Sequence, residues 1–288
     1  MRAGCSVRVN KRLAWNHMRR GLRQLASAVA LAGIGLLAPV ASARDRGATL
    51  DDILRALQAN LESYDKNVPS FFCDEHAMSE MFPGTRRDVT VTDSAFRLKR
   101  VEDADHTTSF VESREVKSVN SGPVTSASPD PPAVIDGIFE GALAVVSASQ
   151  QPCMHYELRK PKGGDIILDF KTADYPTRAK DCVLQEKAHG RATIDAASLQ
   201  IKRLEMIAPR HVIHDDRPQW MEPLKGEWVV RVDYAPVLLD SKTFWMPTTI
   251  NSRVTSDPNS FHSRTWIFKG TYTNFHKLEV ISRVLPSN

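Results

Sequence analysis

The segment HGRATIDAASLQIKRLEMI, residues 189–207, has the pattern of two short β-strands joined by a turn. Ala192 and Ile194 alternate with polar residues, which is typical of a strand with one buried face. Asp195 and Ser198 follow, and such side chains favour turns because they hydrogen-bond the backbone two residues further on. The segment therefore predicts a β-hairpin around which the rest of the chain is organised.

The second strand of this hairpin contains a change in the hydrophobic pattern. Ile201 is an odd number of residues away from Leu204 and Met206, so in a regular strand Ile201 would face the opposite side of the sheet from these two. A shift of one residue moves side chains to the opposite face of a sheet. We therefore expect either a β-bulge at Lys202 and Arg203 or a strand that is partly covered on both faces. An inward-pointing Lys202 would disfavour an apolar cavity.

Two amphipathic helices are predicted before the hairpin. The first begins at Thr49, which forms a capping-box pattern with Asp52, and ends at Val68 before a proline. The second runs from Asp130 to Val146, with proline at its first helical position. Strands fill most of the remaining chain. This order predicts an α+β domain with one antiparallel sheet, which twists and curls because it has many strands and has the helices against its concave side.

The first 43 residues have the composition of a secretory signal peptide. A basic stretch without Asp or Glu precedes an apolar run from Leu25 to Val40 and the tripeptide Ala41-Ser42-Ala43. The apolar run is shorter than the roughly 20 residues that a membrane-spanning helix needs. We therefore expect cleavage after residue 43, leaving residues 44–288 as one periplasmic or secreted domain without a transmembrane segment.

The leader also accounts for the basic charge of the chain. The sequence has 38 Lys and Arg residues against 34 Asp and Glu, and seven of the basic residues lie in the leader, so the mature chain is slightly acidic. Nucleic-acid binding needs a basic face on the folded part, and we expect no nucleic-acid partner. The sequence leaves open whether translation starts at Met1 or Met18, and whether export follows the general or the twin-arginine route.

Three cysteines follow the leader, Cys73, Cys153 and Cys182. In an oxidising compartment we expect one disulfide and one free thiol, and three pairings are possible. We favour Cys153–Cys182, which flank a strand-turn-strand segment. Closing that loop of about 30 residues would stabilise the fold by roughly 3–4 kcal/mol. Cys73 would then be a buried free thiol.

The most metal-like cluster combines His211 and His214 with Asp215 and Asp216. Imidazole and carboxylate groups are suitable ligands for zinc and similar ions. The cluster falls in a proline-bearing segment that we interpret as a loop, Ala208–Gly226, and we favour a solvated loop over a metal site. The sequence has no GxSxG, GxGxxG, P-loop or HExxH motif. We therefore expect neither a catalytic site nor a cofactor.

The hairpin resembles that of the outer-membrane lipoprotein-sorting (LolA-like) proteins and their periplasmic sigma-regulator-like relatives. Gly190 and Asp195 in the first strand, and Ile201, Arg203 and Glu205 in the second, match the pattern G-x-[IV]-x-[IV]-D … [IV]-x-R-[LI]-E of that group. The resemblance implies a curved antiparallel half-barrel with helices on its concave side. It also implies a cavity that holds lipid acyl chains, or a surface that senses another envelope protein.

Two functions are compatible with these expectations. The first is binding of a hydrophobic or lipid-like ligand, such as a lipid or lipidated protein, in the curved-sheet cavity. The predicted lining residues are Phe139, Leu143, Trp228, Val230, Phe244, Met246, Trp266 and Phe268. The second is a structural or regulatory module of the cell envelope that presents its sheet to another envelope protein and has no ligand cavity.

Overall fold

The structure, a computed structural model, describes residues 48–83, 87–102, 108–125, 139, 142–174, 182–184, 187–212, 224–256 and 264–278. The α-helix α1 spans Leu50–Asn67, and two short 3-10 helices span Ala142–Val146 and Gln151–Cys153. The strands of the described residues are β1 (Phe71–Pro83), β2 (Asp88–Glu102), β3 (Thr108–Val119), β4 (Gly122–Pro123), β5 (Met154–Lys162), β6 (Asp165–Thr172), β7 (His189–Asp195), β8 (Ile201–Val212), β9 (Leu224–Leu239), β10 (Lys242–Ser256) and β11 (Arg264–Lys277).

These strands form one antiparallel sheet in the order β4-β3-β2-β1-β11-β10-β9-β8-β7-β6-β5. Strands β1–β4 form one meander and β5–β11 form another, and the two are joined where β1 pairs with β11. The sheet is open and curved, with α1 packed on its concave side, which confirms the predicted α+β fold class.

Helix α1 has the ends that the sequence predicts. The hydroxyl of Thr49 accepts a hydrogen bond from the backbone N–H of Asp52, whose carboxylate accepts one in return from the N–H of Thr49. At the other end the N–H of Val68 donates to the carbonyl of Tyr64. The apolar stripe of the helix is buried against the sheet through Ile53, Leu54 and Leu57. Packing of this stripe supplies most of the stability of such a helix.

The hairpin of β7 and β8 contains the β-bulge that was one of the two expected outcomes. Ile194 is in register with Ile201, but Thr193 is in register with Arg203. Lys202 is therefore the additional residue of the bulge. An additional residue restores the parity of the strand, and both Ile201 and Leu204 are buried.

The bulge directs two basic side chains to the outer face. Lys202 Nζ lies 3.0 Å from a carboxylate oxygen of Asp165, and Arg203 donates to Asp233. Asp233 stands between Val232 and Tyr234 on β9, and both of these neighbours are buried on the concave side. Lys202 consequently places no charge on the concave side of the sheet.

The predicted second helix, Asp130–Val146, is described only in part. Its last five residues, Ala142–Val146, form a 3-10 helix rather than an α-helix, and Phe139 is the only other residue of this segment that is described. The carbonyl of Val145 accepts a hydrogen bond of 2.6 Å from the hydroxyl of Tyr156. Phe139 itself has α-helical backbone geometry, and the other residues of the predicted helix before Ala142 lie outside the described residues.

The predicted loop Ala208–Gly226 contains strand residues at both of its ends, and residues 213–223 lie outside the described residues. Strand β8 continues to Val212 and β9 begins at Leu224. Pro209 lies within β8, opposite Glu227 of β9. The pairing of β8 with β9 continues through the residues on both sides of Pro209.

This extension places His211 in β8, whereas His214, Asp215 and Asp216 lie outside the described residues. Within the described ranges, no group of three His, Cys, Asp or Glu side chains is placed to hold a metal ion.

A disulfide joins Cys153 and Cys182, the pairing favoured from the sequence. It connects the start of β5 to the segment before β7, and Cys73 is a buried free thiol. Burial raises the pKa of the Cys73 thiol, and the charges of Glu75 and Asp74 raise it further. A thiol held in its protonated form is a poor nucleophile.

No helix of the described residues is both long enough and apolar enough to span a membrane.

Candidate functional site: a cavity between helix α1 and the sheet

The concave side of the sheet contains a cavity beneath α1. Its volume is about 440 Å3, within the range of roughly 300–1,000 Å3 that is usual for small-molecule sites. Helix α1 and the 3-10 helix form its roof, and β9, β10 and the β7–β8 turn form its floor and walls. The lining residues are Leu57, Asn60, Leu61, Ser63, Tyr64, Asn67, Leu143, Val146, Gln200, Ile201, Tyr234, Lys242, Thr243, Phe244 and Trp245.

The roof contributed by α1 follows from helical periodicity. Leu57, Leu61 and Tyr64 are spaced by four and three residues, so they share one face of the helix. The helix is tied to the sheet in its middle, where the side-chain amide of Asn60 donates to the carbonyl of Leu199 over 2.7 Å. This contact fixes the distance between the roof and the β7–β8 turn.

The 3-10 segment completes the roof with Leu143 and Val146. Gln58 of α1 accepts a 2.7 Å hydrogen bond from the backbone N–H of Ala148. The carbonyl of Val145 in the same segment accepts a hydrogen bond from the Tyr156 hydroxyl. The 3-10 segment is therefore held by one hydrogen bond next to α1 and by one to β5.

The floor is largely apolar. Ile201 and Phe244 are buried, and Trp245 is partly buried. The β9–β10 turn bends sharply at Asp240 and Ser241, whose φ angles are 51° and 65°. Positive φ at two consecutive residues is the geometry of a tight hairpin turn, and it places Lys242 on the cavity wall.

Lys242 is the cationic group of this wall. Its side chain is exposed, and the described part of the chain provides it with no ion-pair or hydrogen-bond partner. It can therefore attract an anionic group at the edge of the cavity without first breaking a contact.

Tyr234 is the polar group of the cavity wall that most needs explanation. It is only 6 % exposed, and among the described residues its hydroxyl has no hydrogen-bond partner. Burial raises the pKa of Tyr234, so the hydroxyl keeps its proton at neutral pH and is available as a donor. A buried hydroxyl without a partner costs about 1–3 kcal/mol, and buried polar groups without partners are rare in folded proteins.

The eight residues predicted to line a cavity all lie on the concave side, but the structure brings only two of them to this cavity. Leu143 contributes to the roof and Phe244 to the floor. The other six are packed elsewhere in the core, namely Phe139, Trp228, Val230, Met246, Trp266 and Phe268. The indoles of Trp228 and Trp266 donate to the hydroxyls of Ser252 and Ser79, respectively.

The neighbouring part of the concave side, over β1, β2 and β11, is filled by an aromatic cluster. The ring of Phe96 lies 4.8 Å from that of Phe139, and Tyr272 meets Phe139 edge-on at 5.1 Å. Phe71 packs against both phenylalanine rings. This cluster, composed of Phe71, Phe96, Phe139 and Tyr272, excludes a ligand from that half.

A buried ion pair borders the aromatic cluster. Arg114 of β3 donates from Nε to both carboxylate oxygens of Glu75, at 2.9 and 3.0 Å. The Tyr272 hydroxyl donates to the same carboxylate over 2.8 Å, and the Arg114 guanidinium lies 4.9 Å from the centre of the Phe96 ring. The charges satisfy one another and stabilise the filled half.

The outer face of the sheet carries a broader groove of about 1180 Å3. Ile207, Val229 and Ile267 contribute apolar surface to it. Its charged walls are largely paired with each other, since Asp169 accepts hydrogen bonds from both Arg159 and Arg191. The groove is consequently a less convincing ligand site than the cavity under α1.

No family model matches the chain, and no curated protein matches it in sequence. Seven chains of solved structures are similar to it, and three of them are described below. A LolA superfamily protein from Nitrosomonas europaea is 11% identical, and the match covers 80% of this chain and 94% of that protein with a TM-score of 0.33. A DUF1329 family protein from Desulfovibrio piger is 9% identical, with coverages of 81% and 95% and a TM-score of 0.37. A putative outer membrane lipoprotein-sorting protein domain from Vibrio parahaemolyticus is 11% identical, with coverages of 77% and 90% and a TM-score of 0.32. At these TM-scores the role of the cavity has to be inferred from the residues of this chain alone.

Proposed function

We propose that this protein binds one hydrophobic or lipid-like ligand in the cavity under α1. The observation that supports the proposal is a cavity of about 440 Å3 whose roof is held by hydrogen bonds and whose lining includes the apolar side chains of Leu57, Ile201 and Phe244. An apolar chain bound there would remove these side chains from contact with water.

Apolar burial would provide the driving force. A ligand gains about 25 cal/mol for each Å2 of apolar surface that it buries, before the cost of association is subtracted. The helical roof would shield the ligand from water on one side and the sheet on the other. This arrangement suits a carrier or a sensor of a single amphiphile and requires no chemical step.

The same proposal includes the place of action. Residues 1–43 have the composition of an export signal, and the disulfide between Cys153 and Cys182 is of a kind that persists in oxidising compartments. We propose that the domain works outside the cytoplasm, in the bacterial envelope or in the medium.

Native mass spectrometry of the purified mature protein, with and without added dodecanoic acid, tests the proposal. We expect a complex with one ligand per chain. Leu143→Trp should abolish it by filling the cavity, whereas Val111→Trp, an exposed position on β3 that is 50% accessible, should bind as the wild type does. Equal binding by the two variants, or none by the wild type, would contradict a ligand cavity under α1.

The alternative function, a module that docks on another envelope protein, has less support. The outer groove is the surface that would serve it, and its apolar residues are interrupted by arginines such as Arg191 and Arg231 that already have carboxylate partners. A partner would have to displace these ion pairs to reach the apolar positions.

A further inference from the structure

We propose that the outer groove binds a phosphate group at its β5–β7 end, through a basic row formed by His155, Lys171 and His189. The three side chains are exposed and line the groove. Soluble phosphate esters and phospholipid head groups both carry such a group. The basic row lies on the opposite face of the sheet from the cavity under α1, so this inference goes beyond the proposed function and does not depend on it.

Strand pairing brings the three residues of the basic row side by side. His155 of β5 is paired with Lys171 of β6, and Lys171 is paired with His189 of β7. Adjacent strands are about 4.8 Å apart, so the backbone positions of the two histidines are roughly 10 Å apart with Lys171 midway between them. A phosphate group held above Lys171 is within reach of both imidazole rings.

The basic row has no acidic counterpart of its own. None of its side chains has a hydrogen-bond or ion-pair partner among the residues that the structure describes. The carboxylates nearest in sequence are paired with arginines, since Glu157 lies 2.9 Å from Arg159, and Asp169 accepts hydrogen bonds from Arg159 and Arg191. An anion can therefore approach the basic row without displacing an ion pair.

The groove as a whole also favours an anion. Its lining contains five Lys and Arg residues against three Asp and Glu, in addition to the two histidines. Like charges directly opposite each other on adjacent strands destabilise a sheet, and Lys171 stands in that relation to each imidazole whenever the ring is protonated. A bound anion replaces this repulsion with attraction.

The donors of the basic row match the acceptors of a phosphate group. The ammonium group of a lysine donates up to three hydrogen bonds and is a common phosphate ligand in proteins. Each imidazole donates at least one hydrogen bond, whether or not it carries a second proton. A phosphate group offers more oxygens and more negative charge than a carboxylate, so it is the better match for three donor groups.

Apolar side chains border the basic row on its β8 side. His189 is paired with Ile207, which is paired with Val229 of β9, and both apolar residues line the groove. They limit access of water to a bound anion from that side. A lower local dielectric constant strengthens the attraction between the anion and the ammonium group.

The strand ends that carry the basic row are fixed to one another. The backbone N–H of Thr172 donates to the carbonyl of Ala188 over 2.9 Å, and the N–H of Ala188 donates to the Thr172 hydroxyl over 3.1 Å. The N–H of Ala173 donates to the carbonyl of Cys153, which is disulfide-bonded to Cys182. Donors on such a fixed frame keep their positions before a ligand arrives.

Isothermal titration calorimetry of the mature protein with inorganic phosphate tests the site. Sodium chloride is adjusted to keep the ionic strength constant, because exposed charges are screened by salt. We expect one phosphate per chain. Lys171→Gln should weaken binding about tenfold, which is the effect of losing one hydrogen bond between charged groups, and the double variant His155→Gln, His189→Gln should weaken it by a similar factor. Lys171→Arg, which keeps the charge, should retain most of the affinity.

Lys269→Gln is the matched control. Lys269 is also exposed on the outer face, but its partners in register are Asn251 and Met78, so it has no basic neighbour across either strand. This variant should bind phosphate as the wild type does. Equal losses in Lys171→Gln and Lys269→Gln would overturn the inference, because they would show a general effect of charge.

Sedimentation with phosphatidylcholine vesicles, with and without phosphatidic acid, distinguishes the two sources of the phosphate group. Weaker binding of Lys171→Gln to inorganic phosphate alone would support the site with soluble esters as its ligands. Weaker binding of this variant to the phosphatidic acid vesicles, with or without an effect on inorganic phosphate, would support the site with the lipid head group as a ligand. A wild type that binds neither probe would overturn the inference.

Leu143→Trp separates this inference from the proposed function. It should fill the cavity under α1 and leave phosphate binding unchanged, whereas Lys171→Gln should leave the binding of dodecanoic acid unchanged. Loss of phosphate binding in Leu143→Trp would place the anion in the cavity and overturn the assignment to the basic row. Failure of dodecanoic acid to bind would contradict the proposed function alone.

Discussion

The two halves of the concave side differ in how they are filled. Over β1, β2 and β11, aromatic rings pack in contact and the Glu75–Arg114 pair is enclosed with them. Under α1, beside β9 and β10, a cavity of about 440 Å3 is left. Both halves belong to the same curved sheet, so curvature alone does not create a cavity. It lies where α1 and the 3-10 segment cover β9 and β10, and no aromatic cluster of described residues like that of the other half fills the space between them.

The largest effect in the filled half should come from breaking its ion pair. Arg114→Ala would leave the Glu75 carboxylate, 2 % exposed, without the Nε–H donor that its two oxygens share, and loss of one partner of a buried pair costs about 4 kcal/mol. Urea denaturation of the mature protein measures the loss. Arg97→Ala is the control, because its pair with Glu115 is largely exposed and should contribute less than about 1 kcal/mol. Equal losses in the two variants would show that the filled half does not depend on this pair.

Matched leucine truncations compare the two halves directly. Leu98 is fully buried in the filled half, and Leu98→Ala should cost about 3 kcal/mol because it opens a new cavity among packed side chains. Leu143 is only partly buried and faces the existing cavity. Leu143→Ala should therefore cost about 1 kcal/mol, since it removes fewer contacts. Urea denaturation midpoints of the two variants measure these losses. A lower midpoint for Leu143→Ala than for Leu98→Ala would contradict the comparison.

The features that depend on neighbours in sequence could be predicted. The change of parity after Ile201 predicted either a bulge at Lys202 and Arg203 or a strand covered on both faces, because strand periodicity is strict, and the first of these is observed. The capping box at Thr49 and the proline after Val68 predicted both ends of α1, and cysteine count with loop length favoured the observed disulfide. The bulge and the helix ends are determined by residues close together in sequence. The disulfide could be predicted because only three cysteines follow the leader.

The cavity walls could be predicted only in part. Periodicity shows which side chains share the concave face, and all eight predicted lining residues do share it. It does not show which strands lie beneath α1, because that depends on the pairing of β1 with β11 across almost the whole chain. Tyr234 and Lys242 were missed for this reason. The spacing of Leu57, Leu61 and Tyr64 was the available signal for the roof, but it predicts a buried stripe and not a cavity.

The same substitution at two tyrosines, Tyr272→Phe and Tyr234→Phe, should change the stability of the protein in different ways. Tyr272→Phe removes the 2.8 Å hydrogen bond to the Glu75 carboxylate, and hydrogen bonds to charged groups contribute about 2 kcal/mol. Tyr234→Phe removes a hydroxyl without a partner among the described residues, so stability in the absence of ligand should stay the same or rise by up to about 1 kcal/mol. Thermal unfolding of the ligand-free variants measures both. A clear loss of stability in Tyr234→Phe would mean that the hydroxyl has a hydrogen-bond partner in the free protein.

The smallest expected effect is on alkaline stability. Burial raises the pKa of both Tyr234 and Tyr272, and the nearby Glu75 charge raises that of Tyr272 further. In the unfolded chain each phenol ionises near pH 10. The stabilising contribution of each proton is therefore fully present below about pH 10 and is lost as the pH rises toward the folded-state pKa, at up to about 1.4 kcal/mol per pH unit for each tyrosine. The urea midpoint of the wild type should fall between about pH 9 and about pH 11. This fall should be smaller in Tyr234→Phe, and smaller by a similar amount in Tyr272→Phe. If only Tyr272→Phe reduces the dependence on pH, Tyr234 ionises as readily in the folded protein as in the unfolded chain, which would contradict the burial of its hydroxyl.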